Sequence, residues 1–211
     1  RDNVEVRNAN VAMVAIHAEN KQLRELLNYK EQHRTQTTRA AKVIARNFGD
    51  LRDSMYINIG KDAGLKREMA VLDGSGLVGI VDEVYNDYSK VLLITSARCK
   101  IGARIVRADS RAVGVVNGRS GIRDMLIMEH IFREASVKKG DIVVTSGYSG
   151  SHPENILIGT VADVRFSNVG LLQEADIVPV ADVADVEHVL VVTHFTPEQK
   201  NDMKLQGGQA K

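Results

Sequence analysis

The sequence predicts a mainly β protein, in which an N-terminal coiled-coil α-helix is followed by two small β-barrel domains. Three observations favour this architecture. Residues 1–40 are rich in helix formers and contain neither Gly nor Pro. From residue 43 onward, short β-type runs are separated by turn residues. Two stretches of these runs, 65–84 and 137–164, share one pattern, which indicates a repeated β unit.

The N-terminal segment fits a heptad pattern that predicts a dimerising coiled coil over residues 1–40. Val6 and Ala9 begin the pattern, and the residues expected to form the dimer seam are Met13, Ile16, Asn20, Leu23 and Leu27. Asn20 occupies an a position, where a buried Asn costs stability but favours a two-stranded parallel register. The alternative is a single amphipathic helix that packs on its own domain.

Twelve short runs downstream of the helix are predicted to be strands. Because no segments of helical period alternate with them, they indicate a barrel or a sandwich. The runs are 42–46, 55–59, 69–72, 77–84, 90–95, 101–106, 112–116, 125–131, 141–145, 156–165, 176–180 and 189–193.

The internal repeat divides the strands between two domains. Residues 65–72 parallel 137–144, and residues 76–84 parallel 156–164, with Gly79 and Gly159 at matching places where a strand bends. We therefore expect a first barrel at 41–97, a second at 98–195, and a disordered polar tail at 196–211. Exchange of strands between the barrels stays open.

The second copy of the repeat contains a longer loop, 145–153. Insertions of this kind often carry function, so the loop is our first candidate for a contact with a partner or with the other domain. The alternative is that it only caps its own barrel. The residues singled out in and after the loop are Thr145, Ser146, Gly147, Pro153 and Gly159.

The composition and the charge pattern argue against some classes of function. The 211 residues are 44% hydrophobic but only 4% aromatic, so the core must consist of Val, Ile, Leu and Ala. A net charge of +1 argues against a generally cationic nucleic-acid binder. Residues 98–123 are mainly basic and 141–187 mainly acidic, which predicts either mutual neutralisation or a polar protein-binding face. The basic stretch contains no aromatic residue, so we expect no nucleic-acid partner.

No catalytic, metal or cofactor site is predicted. Ser149 lies in a Gly- and Ser-rich loop, but His130, Asp141 and Ser149 are not a recognised triad order. His188 and His194 lack a third ligand nearby. Cys99 is expected to be a half-buried strand cysteine. The sequence also lacks a run of 18 apolar residues, so the chain as given is not expected to span a membrane; because it begins at Arg1, an anchor upstream of it stays open.

Several motifs in order resemble one known family. They are AENKQLRELL at 18–27, VKKGDIVVTSG at 137–147, Pro153, and IGTV at 158–161. Together they resemble the MreC family of rod shape-determining proteins over roughly residues 15–195. The sequence departs from the family pattern at Glu154 and Asn155, where a Gly is commoner.

The resemblance implies a non-enzymatic cell-shape scaffold without cofactors. Such a protein is anchored by one N-terminal helix in the cytoplasmic membrane and faces the periplasm or cell exterior, where it organises peptidoglycan elongation. The implied partners are a second copy bound through the coiled coil, MreD, MreB, RodA and the elongation-specific class B penicillin-binding protein, with assembly of dimers into filaments in some members. Two rival interpretations are a membrane-fusion adaptor of an efflux or secretion system and a degenerate double-barrel hydrolase.

Overall fold

The computed structural model describes residues 2–46, 53–110, 112–119, 124–166 and 171–194, so the predicted tail at 196–211 lies outside the described residues. One long helix, α1 (Asp2–Gln32), precedes twelve strands, which confirms the predicted fold class. The strands are β1 (Thr37–Arg46), β2 (Ser54–Ile57), β3 (Ala70–Leu72), β4 (Leu77–Val84), β5 (Ser89–Leu93), β6 (Ile101–Val106), β7 (Val113–Gly118), β8 (Leu126–Phe132), β9 (Ile142–Thr145), β10 (Leu157–Phe166), β11 (Leu172–Pro179) and β12 (His188–His194).

The strands form two closed antiparallel barrels of six strands each. The first barrel runs β1-β12-β3-β4-β5-β2 and the second runs β10-β11-β8-β7-β6-β9. Aliphatic side chains fill both interiors, with Met55, Ile57 and Leu72 in the first barrel and Ile101 and Leu126 in the second. Closure leaves no free sheet edge in either barrel, which removes the usual route to strand-by-strand aggregation.

The last strand corrects the predicted domain boundaries. Residues 188–194 do not belong to the second barrel, as the boundary 98–195 implied, but close the first one. In β12, Leu190 lies opposite both Ala40 of β1 and Leu72 of β3. The chain therefore crosses between the barrels twice, which is the alternative that the sequence left open. A hydrophobic run predicts that a strand exists, but it does not identify its neighbours.

The two barrels share one arrangement with different connectivity. When β3 is matched with β9 and β4 with β10, every other strand of one barrel has a counterpart in the other, and β12 takes the place of β6. Gly79 and Gly159 occupy matching places. A Cβ atom at Gly79 would overlap the carbonyl oxygen of Leu92, and one at Gly159 would overlap that of Val178. The repeat therefore reflects two copies of one barrel, with close strand contact at the shared glycine.

The helix is shorter than the predicted coiled-coil segment. It ends at Gln32, and β1 begins at Thr37, so residues 37–40 are strand rather than coil. The β-branched residues Thr37 and Thr38 account for the early end because they lose side-chain freedom in a helix and favour strands.

Candidate functional site

One face of the C-terminal half of α1 packs on the first barrel. Leu26 is buried there, and Tyr29 packs against the core, where burial raises the pKa of its hydroxyl to about 12. Gln22 makes two bonds to the segment before β12. Its Nε2 donates to the carbonyl oxygen of Asp185 (3.1 Å), and its Oε1 accepts from the backbone N–H of Glu187 (3.3 Å). The helix is thus held on the barrel by burial of apolar side chains and by hydrogen bonds between the Gln22 side chain and the main chain of the segment before β12.

Two further contacts hold the same face in place. A Cβ atom at Gly74, in the turn between β3 and β4, would overlap the Cβ of Glu25, so only a Gly lets the turn approach the helix this closely. Glu19 lies 3.5 Å from Nε2 of His188 on β12. The signal for this docked face in the sequence was weak, because Gln22 and Gly74 resemble ordinary surface and turn residues.

The predicted seam residues lie together on a different face of the helix. Met13, Ile16, Leu23 and Leu27 are between 45% and 62% exposed, and Asn20 is exposed beside them. Asn20 Oδ1 accepts a hydrogen bond from Nε of Arg24 (2.8 Å). The side chains of Val6 and Ala9, which begin the heptad pattern, lie outside the described residues. No contact within the chain covers this apolar stripe among the residues that the structure describes, so it is available to a partner.

Helical geometry separates the seam from the docked face. Successive residues of an α-helix are about 100° apart, which places the centre of the seam roughly 120° around the axis from Glu19, Gln22, Leu26 and Tyr29. Packing on its own domain and pairing with a second helix are therefore compatible in one helix. The coiled coil itself stays a prediction.

The loop 145–153 is closed by buried polar contacts. Thr145 is fully buried; its Oγ1 donates to the carbonyl oxygen of Pro153 (2.7 Å) and accepts from the N–H of Ile156 (3.0 Å). The N–H of Ser146 donates to the carbonyl oxygen of Gly102 (2.9 Å), and Gly147 has a positive φ of 70°. These residues cap the second barrel, which favours a structural role for them.

The far side of the same loop reaches the first barrel. His152 is buried, and its imidazole lies close enough to Glu68, in the turn before β3, for the charge and the main chain of that residue to raise the pKa of His152. Tyr148, at the tip of the loop, is exposed to solvent. The loop therefore both caps its own barrel and contacts the other domain. The sequence located the loop through the repeat, but it gave no indication of Glu68 as the contact.

Two of the three candidate triad residues, Asp141 and Ser149, have other partners. Asp141 accepts from Nη1 of Arg107 (2.6 Å) and from the N–H of Lys138 (2.8 Å), so its carboxylate is occupied by the fold. The hydroxyl oxygen of Ser149 accepts from the N–H of Ser151 within an exposed turn (3.3 Å). These contacts do not assemble a nucleophile, base and orienting acid.

Two ion pairs join the basic stretch 98–123 to the acidic stretch 141–187, namely Arg119 with Asp176 and Arg107 with Asp141, and two more each lie within one stretch. Arg119 and Arg165 both contact the buried carboxylate of Asp176, and Arg107 contacts Asp109 and Asp141. This pattern supports mutual neutralisation for these residues. Within the described ranges, no group of three His, Cys, Asp or Glu side chains could hold a metal ion, and no helix is long and apolar enough to cross a membrane.

The prediction for Cys99 is wrong in two respects. The residue is fully buried rather than half-buried, and it lies just before β6 rather than in a strand. Burial raises the pKa of its thiol to about 12, which makes it an unreactive thiol at neutral pH in the closed structure.

Comparison with known proteins places these features in a family. Residues 43–193 match the family described as rod shape-determining protein MreC, barrel core. The cell shape-determining protein MreC of Listeria monocytogenes is 36% identical over 176 residues, which are 82% of this chain and 59% of that protein. The chain spans about three-fifths of the length of the curated relatives it matches.

Solved structures agree with the assignment. MreC of Listeria monocytogenes superposes with a TM-score of 0.72 at 31% identity and covers 92% of each chain. MreC in a complex with a penicillin-binding protein (PBP2) from Helicobacter pylori superposes with a TM-score of 0.61 over 75% of this chain and 98% of that one. At 16% identity, the second likeness shows the fold alone. With the family match covering both barrels and the fold agreeing throughout, the chain belongs to the MreC family of rod shape-determining proteins.

Proposed function

We propose that the chain is a non-enzymatic cell-shape scaffold that dimerises through α1 and binds other proteins through its barrels. It would act at the outer face of the cytoplasmic membrane, held by an N-terminal anchor, and organise the peptidoglycan elongation machinery there. The names of its relatives, which are cell shape-determining proteins, support this role. The single observation that carries the proposal is the exposed apolar seam of α1.

The seam has the properties of a dimer interface. Burying a Leu, Ile or Met side chain contributes about 1.5–3 kcal/mol, so four such residues on each helix offer a substantial driving force. Three heptads are close to the lower limit for an isolated coil, and continuation upstream would strengthen it. Asn20 at an a position favours a parallel pair, because two Asn side chains in register can bond each other.

A parallel pair also suits the rest of the molecule. Both N-termini lie at one end of such a pair, as two anchors entering from the same membrane require. The docked face lies roughly 120° from the seam, so each helix carries its first barrel on the outside of the pair. The barrels are then exposed to partners on both sides of the dimer.

The second barrel offers a surface for such a partner. Phe132, Phe166 and Leu171 are 62–78% exposed on three neighbouring strands and their ends, and the guanidinium of Arg133 lies 4.7 Å from the centre of the Phe166 ring. Exposed aromatic clusters of this kind are typical of protein-binding surfaces. The Helicobacter pylori complex supports a penicillin-binding protein as one partner, which we propose to be the elongation-specific class B enzyme. MreD, MreB and RodA complete the proposed assembly.

A matched pair of double variants tests the dimer. Ile16→Glu with Leu23→Glu places charges in the seam, whereas Val11→Glu with Val14→Glu places the same charges on more exposed positions outside it. Light scattering over a concentration series should show a dimer for the parent chain and the Val11/Val14 variant and a monomer for the Ile16/Leu23 variant. A parent chain that stays monomeric at every concentration, or equal masses for the two variants, would refute dimerisation through this seam.

A further inference from the structure

The two barrels meet at a junction that contains a buried histidine. Chain segments 94–100 and 180–187 connect the barrels covalently, and loop 145–153 bridges them without a covalent link. The residue of this loop that reaches the first barrel is His152, which is 5% exposed. Gly76 packs against Leu157 and Val180 in the same region, so the barrels touch closely around the loop.

The surroundings of His152 suit a neutral ring. Among the described residues, its Nδ1 has no hydrogen-bond partner. A protonated imidazole has two N–H donors and would leave the one on Nδ1 unsatisfied in a buried place, which costs free energy. Burial is the largest effect on the group, and it lowers the pKa of His152 below its ordinary value.

The charges around the junction do not cancel that effect. The charge of Glu68, in the turn before β3, and the main chain of the same residue both raise the pKa of His152, but by less than burial lowers it. Asp82, on β4, is paired with Arg67 (3.7 Å) and with Lys90 (3.9 Å). Glu154, the residue after the loop, packs beside Gly147.

We propose that His152 is a proton-sensitive latch between the two barrels: the closed junction accommodates the neutral ring, and protonation, which leaves a buried N–H on Nδ1 without an acceptor, favours opening. The latch would let the angle between the barrels respond to acidification outside the cell membrane, while each barrel stays closed. It uses no residue of α1 and does not depend on dimerisation.

The direction of the pH effect follows from the lowered pKa. An imidazole in the open junction has the ordinary pKa of about 6.5, whereas the latched ring titrates lower. The latched state is therefore fully favoured above about pH 6.5, and the open state gains as the pH falls below it. Because one proton is involved, the open-to-latched ratio can rise by at most about tenfold for each pH unit.

The only cysteine of the chain is a built-in reporter of the opening. Cys99 is fully buried in segment 94–100, and both Glu68 and Asp82 act on its thiol, which places it beside the same junction. The rate at which 4,4′-dithiodipyridine modifies Cys99 measures how often the junction opens. Dividing that rate by the rate for the denatured chain at the same pH removes the intrinsic pH dependence of the thiol.

The experiment compares the parent chain with two histidine variants from pH 8 to pH 5. The normalised rate should be constant above pH 7 and rise several-fold towards pH 5 in the parent chain. His152→Gln should give a rate that does not vary with pH. His130→Gln, at an exposed position on β8, should behave like the parent.

Three results would overturn the latch. The first is a parent rate that does not change between pH 8 and pH 5. The second is an unaltered pH response in the His152→Gln variant. The third is a loss of far-ultraviolet circular dichroism in step with Cys99 modification, which would show that the barrels unfold rather than separate.

Discussion

The two barrels have the same arrangement of strands but are made from the chain in different ways. The second barrel uses one continuous stretch, from Ile101 to Pro179. The first is assembled from residues 37–93 and from β12, almost one hundred residues further on. The same barrel fold can therefore form from one continuous stretch of chain, or it can depend on a strand that lies far away in the sequence.

The position of the distant strand also links distant parts of the molecule. Helix α1 leads into β1, and β1 pairs with β12, so the first and last strands of the described chain meet in the first barrel. The second barrel is in effect an insertion between β5 and β12. A structural disturbance of the first barrel should therefore reach the helix, whereas one of the second barrel should not.

The largest expected effect comes from removing β12. A chain that ends at residue 187 loses four buried residues, which are Val189, Leu190, Val191 and Val192. At about 1.5–3 kcal/mol each, their loss is comparable with the whole stability of a small domain. The first barrel should unfold and the second should remain folded, as seen by amide signals in two-dimensional nuclear magnetic resonance.

A chain that ends at residue 194 is the control for this truncation, because it lacks only the tail and should resemble the parent. If the chain ending at 187 kept the amide signals of both barrels, β12 would be dispensable. Each barrel would then fold without a distant strand. Loss of the signals of both barrels would show that the second barrel depends on the first.

A smaller effect is expected from substituting the glycine that each barrel has at the matching place, which is Gly79 in the first barrel and Gly159 in the second. Gly79→Ala and Gly159→Ala each force a Cβ atom against a neighbouring carbonyl oxygen, and such overpacking costs about 1–3 kcal/mol. Gly79→Ala should lower the melting temperature of the first barrel and reduce hydrogen-exchange protection in α1. Gly159→Ala should destabilise the second barrel and leave α1 unchanged.

The control for this pair is Gly150→Ala, in the loop of the second barrel. Gly150 has a positive φ of 69° but no atom within 4 Å of an added Cβ, so only the backbone strain of about 1–2 kcal/mol applies. Equal loss of protection in α1 for Gly79→Ala and Gly159→Ala would contradict the view that the helix depends on the first barrel alone.

The sequence predicted which segments form strands, but it did not predict which strands pair with each other. Each of the twelve predicted runs overlaps an observed strand, because alternating aliphatic residues and turn residues are local signals. The pairing of β12 with β1 and β3 joins residues about 150 and 120 positions apart. Nothing in a local pattern encodes such a pairing.

The candidate site was also predicted only in part. The seam residues share one exposed face of α1, since a heptad pattern fixes the angular position of each residue. Packing of the helix on its own domain was the alternative prediction, but the residues of the docked face were not identified, because Gln22 bonds main-chain atoms near residue 186 and main-chain partners leave no trace in the sequence. His152 was passed over for the same reason: its contact, Glu68, lies in the other barrel.

The smallest effect is expected from a substitution in α1, the helix that packs on the first barrel. Asn20→Leu replaces the polar a residue by an apolar one, which should stabilise the coil and loosen its preference for two parallel strands. Light scattering should show species larger than a dimer, with a higher melting temperature of the helical signal. Asn28→Leu adds the same side chain at an exposed position outside the seam and should change neither quantity. A strict dimer with unchanged melting in the Asn20 variant would show that Asn20 is not at the helix interface, and the register of the seam would have to be reassigned.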